Sequence, residues 1–87
     1  MELKYRTLET IYNIVKKEPH PESYRCTPRQ IILREMLDWD IVKTHLELLE
    51  KEGLVTIQKL GNTLAISITS TGIETVVKKD INKAKEQ

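Results

Sequence analysis

The sequence predicts a mostly helical α+β fold, with a three-helix core, a short β-hairpin and a C-terminal helix. Three observations predict it. Between Asp38 and Glu52, Val42, Leu46 and Leu49 recur at i, i+4 and i+7, which is one apolar stripe of an α-helix. Directly after it, Val55, Ile57, Leu64, Ile66 and Ile68 share one face of a hairpin that turns at Gly61-Asn62. Upstream, Pro19, Pro21 and the Thr27-Pro28-Arg29-Gln30 segment punctuate the chain so that two further helices fit before the stripe.

Taken in order, residues 1–17 form the first helix, with Leu8, Ile11, Tyr12 and Val15 at helical spacing. Pro19 and Pro21 forbid its continuation, so Glu18 to Ser23 is a loop, and Tyr24-Arg25-Cys26 is short enough to be a brief strand on the hairpin edge. A second helix starts at Thr27, which can cap it. Pro28 suits the first helical position, and Gln30 completes a capping box. Ile31, Ile32, Leu33, Met36 and Leu37 are its apolar residues, and it must stop near Leu37 because Asp38 caps the next helix. That third helix ends at Gly53, where a left-handed residue is needed. Residues 27–53 are thus two helices joined by a short turn.

Residues 54–69 are the hairpin. Its pairs run from Leu60–Thr63 at the turn to Val55–Ile68 at the base. A slip by one residue would move the apolar face to the solvent side. Residues 70–87 are a last helix with Ile73, Val77, Ile81 and Ala84 along one stripe. Its final two turns reach beyond what three helices can cover, which points to two-fold pairing in a homodimer. Packing on the first helix is the alternative. The order of elements makes a single winged helix-turn-helix domain over residues 1–87.

Bulk properties bound the function. A chain of 87 residues leaves little room for a large catalytic pocket. Fourteen basic and thirteen acidic residues give a net charge of +1, so any nucleic-acid contact must come from placement, not from bulk charge. One cysteine excludes an internal disulfide and fits a reducing cytoplasm. No apolar run is long enough for a membrane span, so no membrane partner is expected.

The stretch Leu49-Glu50-Lys51-Glu52-Gly53-Leu54-Val55 resembles the Leu-Glu-x-x-Gly-Leu-Val exit of MarR-like and PadR-like winged-helix transcriptional regulators. Ile68-Thr69-Ser70-Thr71-Gly72 is similar to the Leu-Thr-x-x-Gly that closes their wing. The resemblance covers roughly Thr7 to Ile81. It implies sequence-specific binding of double-stranded DNA, with the helix after Asp38 as recognition helix. Val42 and Leu46 would then be core positions. Trp39, Asp40, Lys43, Thr44 and Glu47 would face the groove, and Lys59 to Asn62 would be the wing tip. Ile32, Met36 and His45 depart from the pattern, standing where a small residue, a glycine and an apolar residue are usual.

On such a helix Lys43 supplies a phosphate or guanine donor, Thr44 a phosphate or thymine-methyl contact, and Glu47 an acceptor for cytosine. Trp39 would lie near the backbone. Arg25, Arg29, Arg34 and Lys59 are the cations for phosphate, with Asn62 beside Lys59 on the wing tip; Arg29 adds to a helix N-terminus that itself attracts anions. Against this, Asp38, Asp40, Glu47 and Glu50 make the helix acidic, which keeps open a protein-docking module that does not bind DNA. Ile41 and Leu48 are expected to widen the core stripe. The alternative makes them that module's contacts. His20 and His45 lack partners at metal-ligand spacing, so neither metal nor cofactor is expected, and His45 reads as a hydrogen-bonded core residue. Cys26 reads as packing, with redox sensing as the alternative. No nucleophile motif, phosphate loop or acid–base pair is present, and no enzyme is expected.

Overall fold

The computed structural model describes the backbone of residues 3–86 and the side chains of residues 3–78. Helix α1 spans Leu3–Val15, α2 Pro28–Glu35 and α3 Trp39–Lys51. Strands β1 (Val55–Leu60) and β2 (Thr63–Ile68) form the hairpin, and α4 runs Ser70–Glu86. This is the predicted winged helix-turn-helix. Helix α1 buries Thr7, Leu8, Ile11 and Val15 on one face. It ends two residues earlier than the sequence suggests, because the Glu18 N–H donates to the Val15 carbonyl at 2.9 Å and tightens the chain into a turn. The predicted loop beyond it contains a 3-10 turn, Pro21–Ser23.

The start of α2 follows the predicted chemistry in full. Thr27 Oγ1 accepts the Gln30 N–H at 3.3 Å, and the Gln30 side chain accepts the Thr27 N–H at 2.9 Å. Its end is unusual. Met36 closes the helix with φ 59°, a left-handed conformation that costs an L-residue about 1–2 kcal/mol, and its side chain is 84 % exposed. We therefore expect Met36→Gly to stabilise the fold by about 0.5–1 kcal/mol, the relief of strain exceeding the extra chain entropy of glycine. Chemical denaturation would show it as a raised midpoint at constant slope; a lowered midpoint would mean that Met36 packs in a way its exposure hides.

Helix α3 buries Val42, His45, Leu46 and Leu49. Asp38 occupies the N-cap position with extended backbone, but its side chain makes no capping bond there. Its backbone carbonyl instead accepts the Ile41 and Val42 N–H groups, each at 3.1 Å, and the exposed carboxylate stays in solvent. The far end is a Schellman closure. Gly53, at φ 75°, donates to the Glu50 carbonyl at 3.0 Å, and Leu54 donates to the Leu49 carbonyl at 3.0 Å.

The hairpin has the predicted register throughout, from Leu60↔Thr63 to Val55↔Ile68. Gly61 has φ 61°, the positive value a two-residue turn needs at its first position. Cys26 joins β2 as an isolated bridge, exchanging bonds of 2.8 and 2.9 Å with Ile66. Ala65 departs from the half-buried pattern. It is buried on the polar face, where the 3-10 turn lies against β2.

The core sits between α1, α2, α3 and the hairpin base, with Leu8, Ile11, Ile31, Leu46, Leu49, Ile66 and Ile68 fully enclosed. Helix α4 adds Val76, which is 2 % exposed. Ile41 and Leu48 do not widen the core stripe. They are 43 % and 41 % exposed, because no element packs over that flank of α3 among the described residues. On the proposed dimer stripe, Ile73 packs partly against the core while Val77 is exposed. Ile81 and Ala84 lie outside the residues whose side chains are described.

Candidate nucleic-acid interface

Helix α3 and the wing diverge from the core and leave an open cleft between them. Trp39, Lys43, Glu47 and Glu50 of α3 form one wall; Lys59, Asn62 and Thr63 of the wing form the other. Pro28 and Ile32 of α2 close one end, and Leu46, Ile57 and Leu64 make an apolar floor. Five of the eight residues expected to touch DNA, Trp39, Lys43, Glu47, Lys59 and Asn62, therefore line one cleft. Amphipathic spacing puts Lys43 and Glu47 on the exposed side of α3, one turn apart. The hairpin register carries Lys59 and Asn62 to the tip.

The other three lie outside its lining. Arg29 is exposed in the first turn of α2, next to Pro28, and Arg25 is exposed just before the Cys26 bridge. Thr44 is exposed on α3, but its hydroxyl donates to the Asp40 carbonyl at 2.9 Å. With that proton committed, Thr44 offers a partner its methyl group and a hydroxyl oxygen that can accept. Arg34 is exposed on α2 outside the lining, and its charge partly offsets the upward shift of the Cys26 thiol.

Two carboxylates at the C-terminal end of α3 have partners. Glu52 pairs with Lys4 at 2.7 Å and accepts from Tyr5 at 2.9 Å, and these bonds, the Lys4 one first, hold its carboxyl below the ordinary range. Glu50 accepts the Ile57 N–H of the wing at 3.2 Å. Glu47 remains in the cleft between Lys43 and the wing, and Asp38 and Asp40 stay exposed at the N-terminal end.

His45 is the hydrogen-bonded core histidine the sequence suggests. Its Nδ1 lies 2.9 Å from Thr7 Oγ1, which in turn donates to both Glu35 oxygens at 3.0 and 3.1 Å. The hydroxyl has one proton, and it goes to the carboxylate, so the bond to His45 is made by Nδ1–H. This Thr7–Glu35–His45 cluster ties α1, α2 and α3 together, and sequence periodicity missed it. Burial pushes the Cys26 thiol up to about 11, with Arg34 offsetting part of the shift. A thiol held protonated across the neutral range makes a poor redox sensor. Among the described residues no group of three or more His, Cys, Asp or Glu side chains could hold a metal ion. None of their helices is long and apolar enough to cross a membrane.

No protein-family model matches the chain, and no curated protein matches it. Solved structures do. The AF1382 protein of Archaeoglobus fulgidus superposes with a TM-score of 0.72 at 19 % identity, covering 98 % of this chain and 92 % of that one. FabT of Streptococcus pneumoniae, solved in complex with DNA, gives 0.66 at 23 % identity over 92 % of this chain and 55 % of its own. Sso10a-2, a DNA-binding protein from Sulfolobus solfataricus, gives 0.61 at 19 % identity over 99 % and 90 %. At these identities the likeness establishes the winged-helix fold.

Proposed function

We propose that the chain binds double-stranded DNA in a sequence-specific way as a small transcriptional regulator of the MarR-like or PadR-like kind. The observation that carries this reading is the cleft. It brings Lys43, on a helix of major-groove width, and Lys59 and Asn62, on a hairpin tip, to one lining, an arrangement that supports a sugar-phosphate strand held by cations from both elements. Two of the similar folds belong to a protein solved with DNA and to a DNA-binding protein, which supports it. So does the Leu49–Val55 motif, whose glutamate and glycine have defined structural work here.

The regulator acts as a homodimer on this reading. Val77 is exposed on α4 and borders a shallow hollow with Ile73, Glu74 and Lys78, a surface of mixed charge that a two-fold axis can pair with itself. A second reading, a protein-docking module, is favoured by the exposed flank of Ile41 and Leu48.

One experiment addresses all three. Lys43→Ala, Lys59→Ala and Arg29→Ala should each weaken duplex binding and lower its salt slope by about one unit for each chain bound. Only Lys43→Ala should also relax sequence preference. Sedimentation of the complex should give two chains per duplex. Wild-type behaviour of all three variants would favour the docking module, and a single chain per duplex would remove the dimer.

A further inference from the structure

Besides the apolar floor, a polar side chain of the recognition helix reaches the wing, at a position that follows from the strand pairing. Ile66 spends its own N–H and C=O on Cys26, at 2.9 and 2.8 Å. Ile57, its partner across the hairpin, therefore sits in a non-hydrogen-bonded pair, and the Ile57 N–H points off the outer edge of β1. An open edge group of this kind is left to water or to a side-chain acceptor. Glu50, in the last turn of α3, supplies it: its Oε2 accepts the Ile57 N–H at 3.2 Å.

A carboxylate in this place is costly for a protein that holds phosphate, since Glu50 lines the same cleft as Lys43 and Lys59. Its geometry explains the cost. We propose that Glu50 is the positioning residue for DNA binding: it latches β1 to α3 and so sets the distance between Lys43 on the helix and Lys59 on the wing. This rests on the DNA-binding reading above. The latch makes the two lysines act as a pair, so that a phosphate backbone seated against one is in reach of the other. Without it the hairpin remains paired, and its angle to α3 is held by the base and by the apolar packing of Ile57 and Leu64 alone.

The latch and the charge predict opposite effects, which separates them. E50Q keeps an oxygen that can accept the Ile57 N–H and removes the charge facing phosphate, so it should bind duplex about threefold more tightly than the parent. E50A removes the same charge together with the latch, and should bind about tenfold more weakly than the parent. E50D, which keeps the charge on an arm one methylene shorter, should also bind more weakly, and it serves if E50A does not fold. Adding K59A should cost little in the E50D or E50A background and much in the parent, a coupling that a purely stabilising role would not produce. Exchange of the Ile57 amide, followed by NMR without DNA, should be slow in the parent and E50Q and fast in E50A and E50D. Equal tightening by E50Q and E50A, or a K59A loss independent of Glu50, would overturn the proposal. Absence of duplex binding by the folded parent would instead overturn the DNA-binding reading, and this role of Glu50 with it, whatever the Ile57 amide does.

Discussion

Gly72→Ala is expected to lower the melting temperature by about 10 °C, and Gly72→Val to prevent folding at physiological temperature. Gly72 lies in the first turn of α4, where a Cβ would fall inside contact distance of the Leu54 carbonyl oxygen and 2.8 Å from Ile68 Cγ1. The oxygen belongs to backbone that cannot retreat. Leu54 is tied to the Leu49 carbonyl through its N–H and accepts the Thr69 N–H, both at 3.0 Å. Thr69 completes the knot, its hydroxyl donating to the Gly53 carbonyl at 2.7 Å and accepting the Gly72 N–H at 3.0 Å. Overpacking against such a site costs about 3 kcal/mol, and the better helix propensity of alanine returns about 1. The net loss is large for a domain of this size. A variant melting with the parent would show that α4 does not approach Leu54 closely.

Thr7→Val should cost about 2–3 kcal/mol although it changes the side-chain volume very little. It removes the hydroxyl that satisfies Glu35 and His45 together, and leaves the buried His45 Nδ1–H without its partner. Thr7→Ser keeps the hydroxyl and should cost about 1 kcal/mol, from the lost methyl group. Urea denaturation of the pair separates polar satisfaction from packing. Equal losses would mean that the methyl group, and not the hydrogen bonds, matters at this position.

The hairpin was legible in the sequence because period-two alternation and Gly61-Asn62 leave one register that segregates apolar from polar residues. The capping box was legible for a similar reason, since its partners are three residues apart. The Thr7–Glu35–His45 cluster was not, because each member lies on a different helix and pattern reading sees one helix at a time. A signal was available: Thr7 and His45 both interrupt stripes that are otherwise apolar, and a polar residue on a core face needs a partner. Ile41 and Leu48 were misread because a helical wheel gives the direction of a side chain and not what covers it. In the cleft, the residue types and their faces were readable. What could not be read is that Glu50 reaches the wing backbone, which depends on the angle between α3 and β1. The Asp38 carboxylate shows the reverse case: the backbone conformation is that of a cap, yet the bonds come from its carbonyl.

A DNA strand entering the cleft between α3 and the wing would meet a reporter the chain itself carries. Trp39 is the only tryptophan, and it lines that cleft. Titration of the parent with duplex should change Trp39 emission saturably. Plotted against the logarithm of salt concentration, the logarithm of the affinity should fall with a slope of about −0.9 for each phosphate neutralised, roughly −3 for each chain bound if its Arg29, Lys43 and Lys59 each hold one. Emission unmoved by duplex at low salt, or binding whose strength ignores salt, would contradict entry of DNA into the cleft.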